Sequence, residues 1–378
     1  MADLCGTRRH ADRHCLTGTP PCPPRRAPDA PGERVIPTSV LDLAVAHAAP
    51  LVVHAEPWIN FDVGLLADRF WANTINGLAY GSVYALIALG YTLVYGVLQL
   101  INFAHSEIFV IGVFATYLTF ISLGFEPGAI PNLPIAAIIL DLILAGLVAM
   151  AVSGLAAVGL ERVAYRPLRR RNAPRLAFLI TAIGASFAIQ QVIRIWRGSN
   201  PEGTIRLLPP QPVFTIFGAP ITNLQIVIIL ASLAMFVVAD QFVNRSRLGR
   251  GIRAVAQDPA TATLMGVNRE RVIMITFAVG GILAGVAALF YLMTIPQGAV
   301  YNGGFLLGIK AFTAAVLGGI GNLRGALLGG LILGVVENYG QSLFGGDWRD
   351  VVAFVLLVLI LMFRPTGILG ESLARSRA

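Results

Sequence analysis

From Ala72 to Leu100 the chain carries no charge: ANTINGLAYGSVYALIALGYTLVYGVLQL runs some 29 residues, more than the ~20 that a helix needs to cross the hydrocarbon of a bilayer. A short polar break, INFAHSE, follows, and a second apolar run extends from Ile108 to Ile121. Further runs at about 133–160, 176–194, 221–242 and 272–295 each predict another crossing, and less regular ones at about 304–320, 325–341 and 350–363 bring the number to nine. The last, VVAFVLLVLILMF, has only 13 apolar residues. It spans only with Trp348 and Arg364 at the two interfaces. The pattern therefore predicts an all-α polytopic membrane protein of about eight or nine transmembrane helices, some of them broken or re-entrant. Gly77 and Gly81 share one helical face, and Gly321, Gly325 and Gly329, followed by Gly330 and Gly334, recur every four residues. That spacing predicts close helix packing, with a sliding surface as the sharper alternative.

Three polar segments frame these runs. Residues 1–70 are rich in Pro, Arg and Ala without helical or alternating period, which reads as a mostly disordered tail with a weak membrane-associated or signal-like stretch, LDLAVAHAAPLVVHAE. Residues 71–365 form the membrane domain, and 366–378 a second tail. Within the domain lies a polar island, residues 244–271, NRSRLGRGIRAVAQDPATATLMGVNRER. Asp258 followed by Pro259 is a helix-start signal, and Gly266 the matching stop. Between them PATATLM is a helix of under two turns, too short to hold itself in water without a partner.

Orientation follows from arginine. The loop 161–175 carries Arg162, Arg166, Arg169, Arg170, Arg171 and Arg175, and the island carries Arg245, Arg247, Arg250, Arg253, Arg269 and Arg271, so both should face the cytoplasm. The Pro-rich segment RGSNPEGTIRLLPPQPVFTIFGAP between them then lies outside, and the C-terminal tail inside. Counting nine spans back puts the arginine-bearing N-terminal tail outside. That conflict requires either a membrane segment in the tail or a half-span among the nine.

Composition narrows the class. With 56% hydrophobic and 13% charged residues, the chain lies outside the usual soluble range, and its net charge of +8 resides in loops rather than in a domain that could present it to nucleic acid. Lys310 is the only lysine, which excludes a Walker A loop. Cys5, Cys15 and Cys22 all lie in the tail, where Cys5, His10, His14 and Cys15 have zinc-ligand types but irregular spacing. No G-x-S-x-G or H-E-x-x-H occurs, and His105, Ser106 and Glu107 point about 100° apart on a helix and cannot form a triad with one another. An enzyme of the catalytic-triad kind is therefore not expected.

Polar residues in or beside the apolar runs are pathway candidates: Asn76, Asn102, His105, Glu107, Glu337 and Asn338. The blander expectation for the first break is that Asn102 caps the following helix while His105 and Glu107 fix the turn. Asp141 is expected to face an interface or a neighbouring helix. Lys310 either snorkels to the outer surface or serves the pathway, and Glu337 with Asn338 lines a cavity or bonds to neighbouring backbone. A self-sufficient secondary transporter or channel, with His105, Glu107 and Asp141 as a proton or ion relay, is the alternative function.

Three stretches, NGLAYGSVYALIALGYTLVYGVLQLINFAHSEIFVIG, GRGIRAVAQDPATATLMGVN and AVLGGIGNLRGALLGGLILGVVEN, resemble the permeases of bacterial ABC importers for branched-chain amino acids, the LivH type, over about residues 72–365. The resemblance implies a partner permease of related sequence, two ATPase subunits that use ATP, an extracytoplasmic solute-binding protein, and a multi-pass location in the bacterial inner membrane. It implies no cofactor in this chain. It makes the island a cytoplasmic coupling loop, in which Asp258, Pro259, Ala260, Thr261, Ala262, Leu264, Met265 and Gly266 dock into an ATPase. The usual Glu-Ala-Ala with Gly four residues after the second Ala falls on Ala260, Thr261 and Ala262, so the acid is missing. Asp258 is the nearest substitute, although capping explains it equally well. Ser106 in place of an expected Gly, and the long tail, are further departures.

Overall fold

The computed structural model describes residues 63–128, 134–295 and 298–370, all within one compact unit. Cys5, His10, His14 and Cys15, the signal-like stretch, most of the first tail and residues 371–378 of the second lie outside the described residues. A short helix α1 (Val63–Asp68) leads into α2 (Phe70–Leu98), and then come α3 (His105–Ser122) and α4 (Ile135–Leu160). A π-helical turn, Glu161–Tyr165, and α5 (Arg166–Arg170) continue α4 without a break. Next are α6 (Arg175–Arg197), a hairpin of β1 (Pro212–Ile216) and β2 (Ala219–Thr222), and α7 (Asn223–Arg245). The island folds as α8 (Arg247–Gln257) and α9 (Pro259–Leu264), after which α10 (Arg269–Thr294), α11 (Gly303–Gly318), α12 (Leu323–Phe344) and α13 (Arg349–Phe363) complete the body.

All nine predicted runs are helical. Among the described residues, six helices are long and apolar enough to cross a membrane, counting α4 with its extension as one; α11 is a shorter apolar helix. Two expectations are corrected. The arginine-bearing stretch 161–175 is mostly helix, because Arg169 turns inward to ion-pair with Glu161 and Glu270. The Pro-rich segment contains an antiparallel hairpin, closed at Phe217 and Gly218, whose φ values of 48° and 84° match a two-residue hairpin turn.

Consecutive long helices run in alternating directions. At one end Asp240 of α7 lies 3.8 Å from Arg324 of α12, and Gln99, just past α2, reaches the Ala256 carbonyl of α8. The chain after α13 joins the same end, where Ile368 and Leu369 donate to the Leu317 and Gly318 carbonyls. At the other end Trp71 stacks on Phe217, Phe70 meets Tyr339, and Gln225 donates to Asn76 at 2.6 Å. The island and the last described residues thus share one end, and the hairpin and the start of α2 share the other.

The α2–α12 seam is built on glycine. A Cβ on Gly330 would stand 2.5 Å from the Ala85 Cα, and one on Gly77 2.6 Å from the Val335 Cα. Gly334 meets Gly77 and Gly81 as closely, whereas Gly325 and Gly329 face α11 at Gly318 and Ala314. The change of register between Gly329 and Gly330 therefore serves two neighbours. Gly321 is not part of this face: it lies in the turn before α12, with φ 97°. Close backbone approach is how helices gain contact in lipid, where apolar side chains gain nothing by leaving it.

Two helices begin inside the bundle. His105, the first residue of α3, packs against Gly90, eight residues and so about 12 Å before the end of α2. At the start of α11, Gly304 and Gly308 pack against Val110 and Ser106 of α3.

Candidate functional site

The island presents a small rigid knob. Ser246 caps α8 by accepting from the Gly249 amide at 2.8 Å. α8 buries Gly249, Ile252 and Val255, and Arg253 donates at 2.9 Å to the Val243 carbonyl at the end of α7. Asp258, in extended conformation, then accepts from the Ala260 and Thr261 amides at 2.9 and 3.3 Å and from the Thr261 hydroxyl. These donors hold its carboxyl below the usual carboxylate range. The helix closes where Gly266 takes φ 84° and the Val267 amide donates to the Ala262 carbonyl. Ala262 faces inward, while Leu264 and Met265 are 87% and 81% exposed. Met265 is the C-cap and not part of the helix. Arg245, Arg247, Arg250, Arg253, Arg269 and Arg271 flank the knob in the sequence, all exposed.

The polar break before α3 is buried. Gln99 ends α2 in left-handed conformation, φ 52°. Asn102 does not cap α3, whose N-cap is Ala104 with no side-chain bond. Its Oδ1 instead accepts from the Tyr165 hydroxyl of the π turn at 2.6 Å, which draws the side chain away from the α3 terminus. His105 is 1% exposed and meets the Tyr91 ring edge-on at 4.9 Å. Glu107, fully buried, turns to α6: its Oε1 accepts from Gln190 at 2.8 Å and Ser186 at 3.1 Å, with the Ser106 hydroxyl 3.4 Å away. Among the described residues its Oε2 has no hydrogen-bond partner, nor have Asn102 Nδ2 and His105 Nε2. His105 and Glu107 are thus built into different interhelical contacts and do not merely fix a turn. Among the described residues His105 packs against α2 and α10 while the Glu107 carboxylate bonds to α6, so the two are not hydrogen-bonded to one another.

Near the opposite end is a charge cluster. Glu337 Oε1 accepts from Lys310 Nζ and Arg349 Nε, both at 2.6 Å, and Lys310 also pairs with Asp350. Arg349 lies over the Tyr80 ring at 4.6 Å and donates to the Tyr84 hydroxyl. Lys310 therefore does not snorkel outward, because two carboxylates hold it at 6% exposure. Asn338 donates to the Gly334 carbonyl of its own helix at 2.9 Å. Of the six candidates, Asn102, His105 and Glu107 share the break before α3 but turn to different helices; Asn76 lies at the hairpin end, and Glu337 and Asn338 sit on α12. Tyr165, Ser186, Gln190 and Arg349 escaped the sequence reading, although Ser186 and Gln190 stand four apart in an apolar run and so share a face.

A bundle with six membrane-length apolar helices and an exposed, capped knob is that of a polytopic membrane protein. The sequence profile of the family described as "Branched-chain amino acid transport system / permease component" matches residues 73–361, and the chain belongs to that family. It is 44% identical over 307 residues to the high-affinity branched-chain amino acid transport system permease protein BraD of Pseudomonas aeruginosa, covering 79% of this chain and 94% of that protein. It is 40% identical over 313 residues to LivH of Escherichia coli, covering 80% and 96%. The LivH of Methanocaldococcus jannaschii is 26% identical over 311 residues, covering 78% and 90%. Among solved structures, PsaBC from Streptococcus pneumoniae in complex with Fab matches 80% of this chain and 93% of that chain at 13% identity. Its TM-score of 0.39 is too low to carry an argument.

Proposed function

We propose that this chain is one of two membrane-spanning subunits of an ATP-driven importer of branched-chain amino acids, and that α9 is where an ATPase subunit engages it. The observation that carries the reading is the knob: a helix of six residues, capped by Asp258 and closed by Gly266, holding Leu264 and Met265 in full exposure. A rigid apolar pair on an otherwise polar loop fits a partner's cleft. The names of BraD and LivH support the substrate class.

In this reading the partners are a second permease of the same family, two ABC ATPase subunits that bind and hydrolyse ATP, and an extracytoplasmic solute-binding protein, with no nucleic acid. No cofactor or nucleotide belongs to this chain itself. The protein is multi-pass in the bacterial inner membrane, and the exposed arginines on either side of the knob support a cytoplasmic knob and C-terminus. Movement of the ATPases pushes α9 and α8. The Gln99–Ala256 contact passes it to the end of α2 and the break holding Asn102, His105 and Glu107, which line the passage. Asn76 sits at its outer approach, and Glu337 with Asn338 hold the helices beside it.

Uptake into vesicles tests the reading. L-Leucine should accumulate only with ATP, the ATPases and the binding protein. Accumulation under a proton gradient without ATP or ATPase subunits would sink it. Asp258→Arg and Gly266→Pro should each abolish ATPase association while the permease still inserts. Normal association in either variant would remove α9 as the docking element.

A further inference from the structure

The turn between α5 and α6 gathers positive charge that the chain does not compensate. Residues 161–175 carry six arginines and one glutamate. Arg169, with a side chain only 6% exposed, pairs with Glu161 and, at 3.1 Å, with Glu270 from the first turn of α10; Arg166 meets the same Glu270 at 3.2 Å. Both carboxylates are thus engaged by the two inner arginines. Arg170, Arg171 and Arg175 are exposed and have no ion-pair partner among the described residues. The backbone between them is fixed: the Arg171 and Ala173 amides donate to the Pro167 and Leu168 carbonyls at 3.1 and 3.0 Å, and Asn172 closes the turn in left-handed conformation, φ 50°. Three cations therefore stand on six residues of ordered chain.

What adjoins the turn selects its partner. Directly after Arg175, Leu176, Ile180, Ile183 and Phe187 of α6 are 65%, 61%, 40% and 55% exposed. Their spacing of four, three and four residues places them on one face. Only 28% of the membrane-length stretch of α6 is buried. An apolar stripe on such a helix faces acyl chains, and here it begins where the cations end. Arg269 and Arg271 offer no such combination, because they precede α10, of which 72% is buried. A phospholipid has the matching order of parts, an anion at the membrane boundary and a hydrocarbon chain beneath it, and basic clusters at that depth attract anionic lipids.

We propose that the α5–α6 turn binds the headgroup of an anionic phospholipid through Arg170, Arg171 and Arg175, with one acyl chain lying along Leu176, Ile180, Ile183 and Phe187. The site requires only that the chain be embedded in a bilayer, whatever solute it carries.

The experiment titrates the purified full-length chain in detergent with dioleoylphosphatidylglycerol, with dioleoylphosphatidylcholine and with inorganic phosphate. Wild type should bind phosphatidylglycerol at least about tenfold more tightly than phosphatidylcholine, the scale of several surface arginines acting on one anion. Added salt should shrink that preference. The triple variant Arg170→Gln/Arg171→Gln/Arg175→Gln should lose it. Arg250→Gln/Arg269→Gln/Arg271→Gln removes the same charge elsewhere and should keep it within about threefold. Ile180→Gln leaves every cation in place and should weaken both lipids by about threefold or more. No preference in wild type overturns the proposal without recourse to any variant. Equal losses in the two triple variants also overturn it, since net charge alone would then attract the lipid. Unchanged lipid binding in Ile180→Gln, or displacement of the lipid by inorganic phosphate, overturns it in favour of a free-anion site. Displacement by the ATPase subunits overturns it in favour of a protein contact.

Discussion

α2 and the α4–α5 helix are both membrane-length and both apolar, yet 83% of the central stretch of α2 is buried and only 22% of that of α4–α5. The more apolar of the two is the more exposed: Ile139, Leu140, Ile143, Leu147 and Leu155 of α4 all face outward. In water that order would be reversed. In lipid a leucine tail gains nothing by turning inward, so side-chain bulk marks the outside, and glycines and polar groups mark the seams. The seam residues of α2 and α12, Gly77, Gly81, Gly330 and Gly334, meet backbone to backbone. Gly159 of α4 and Gly184 of α6 have open space beside them.

The sharpest way to break this contrast is to fill one glycine of each kind. Gly330→Leu forces its side chain onto the backbone of Ala85, which cannot yield without parting α2 from α12. The expected result is almost no monodisperse protein recovered in detergent, since overpacking a tight core costs about 1–3 kcal/mol even where side chains alone must move. Gly184→Leu should be recovered at wild-type yield, with stability within about 0.5 kcal/mol or better through higher helix propensity. Equal behaviour of the two variants would refute the division into seam and lipid face.

The contrast also explains what could be read beforehand. Each of the nine runs is a helix with bounds within a few residues of those expected, because a chain segment in a bilayer must satisfy its backbone polar groups within itself. Partnerships across the chain were not legible. Lys310 could have snorkelled, but Glu337, 27 residues on, and Asp350, 40 residues on, hold it. Asn102 could have capped α3, but Tyr165, 63 residues away, takes it. Local spacing cannot supply such pairs. The knob was the opposite case: Asp258, Pro259 and Gly266 act within a few residues, so its caps were written in the sequence.

A second, smaller contrast lies between ion pairs. Lys310→Met leaves the fully buried Glu337 with Arg349 alone and should lower stability by about 3 kcal/mol, read as a shift in the thermal midpoint of the purified protein. Arg324, 71% exposed and 3.8 Å from Asp240, belongs to the lipid-interface or solvent class. Arg324→Met should change stability by less than about 0.5 kcal/mol.

The knob has the smallest effect on the fold and offers the finest test. Leu264 and Met265 are exposed like the side chains of α4, yet they sit on a polar loop, so a protein surface and not lipid is the expected cover. Asp258 organises them. Its carboxyl has a folded-state value below its unfolded one, so its capping contribution is complete above the ordinary carboxylate range near 3.9 and fades only as pH falls through the lower folded value. Between pH 8 and pH 5, ATPase association should therefore be insensitive to this group. Asp258→Asn, which retains a capping oxygen, should bind within about twofold of wild type, and Asp258→Ala should bind more weakly than either. If Asn and Ala variants weaken association equally, Asp258 acts through its charge on the partner and the capped-knob account of this surface is wrong. If neither weakens it, the exposed pair is held by something other than its cap.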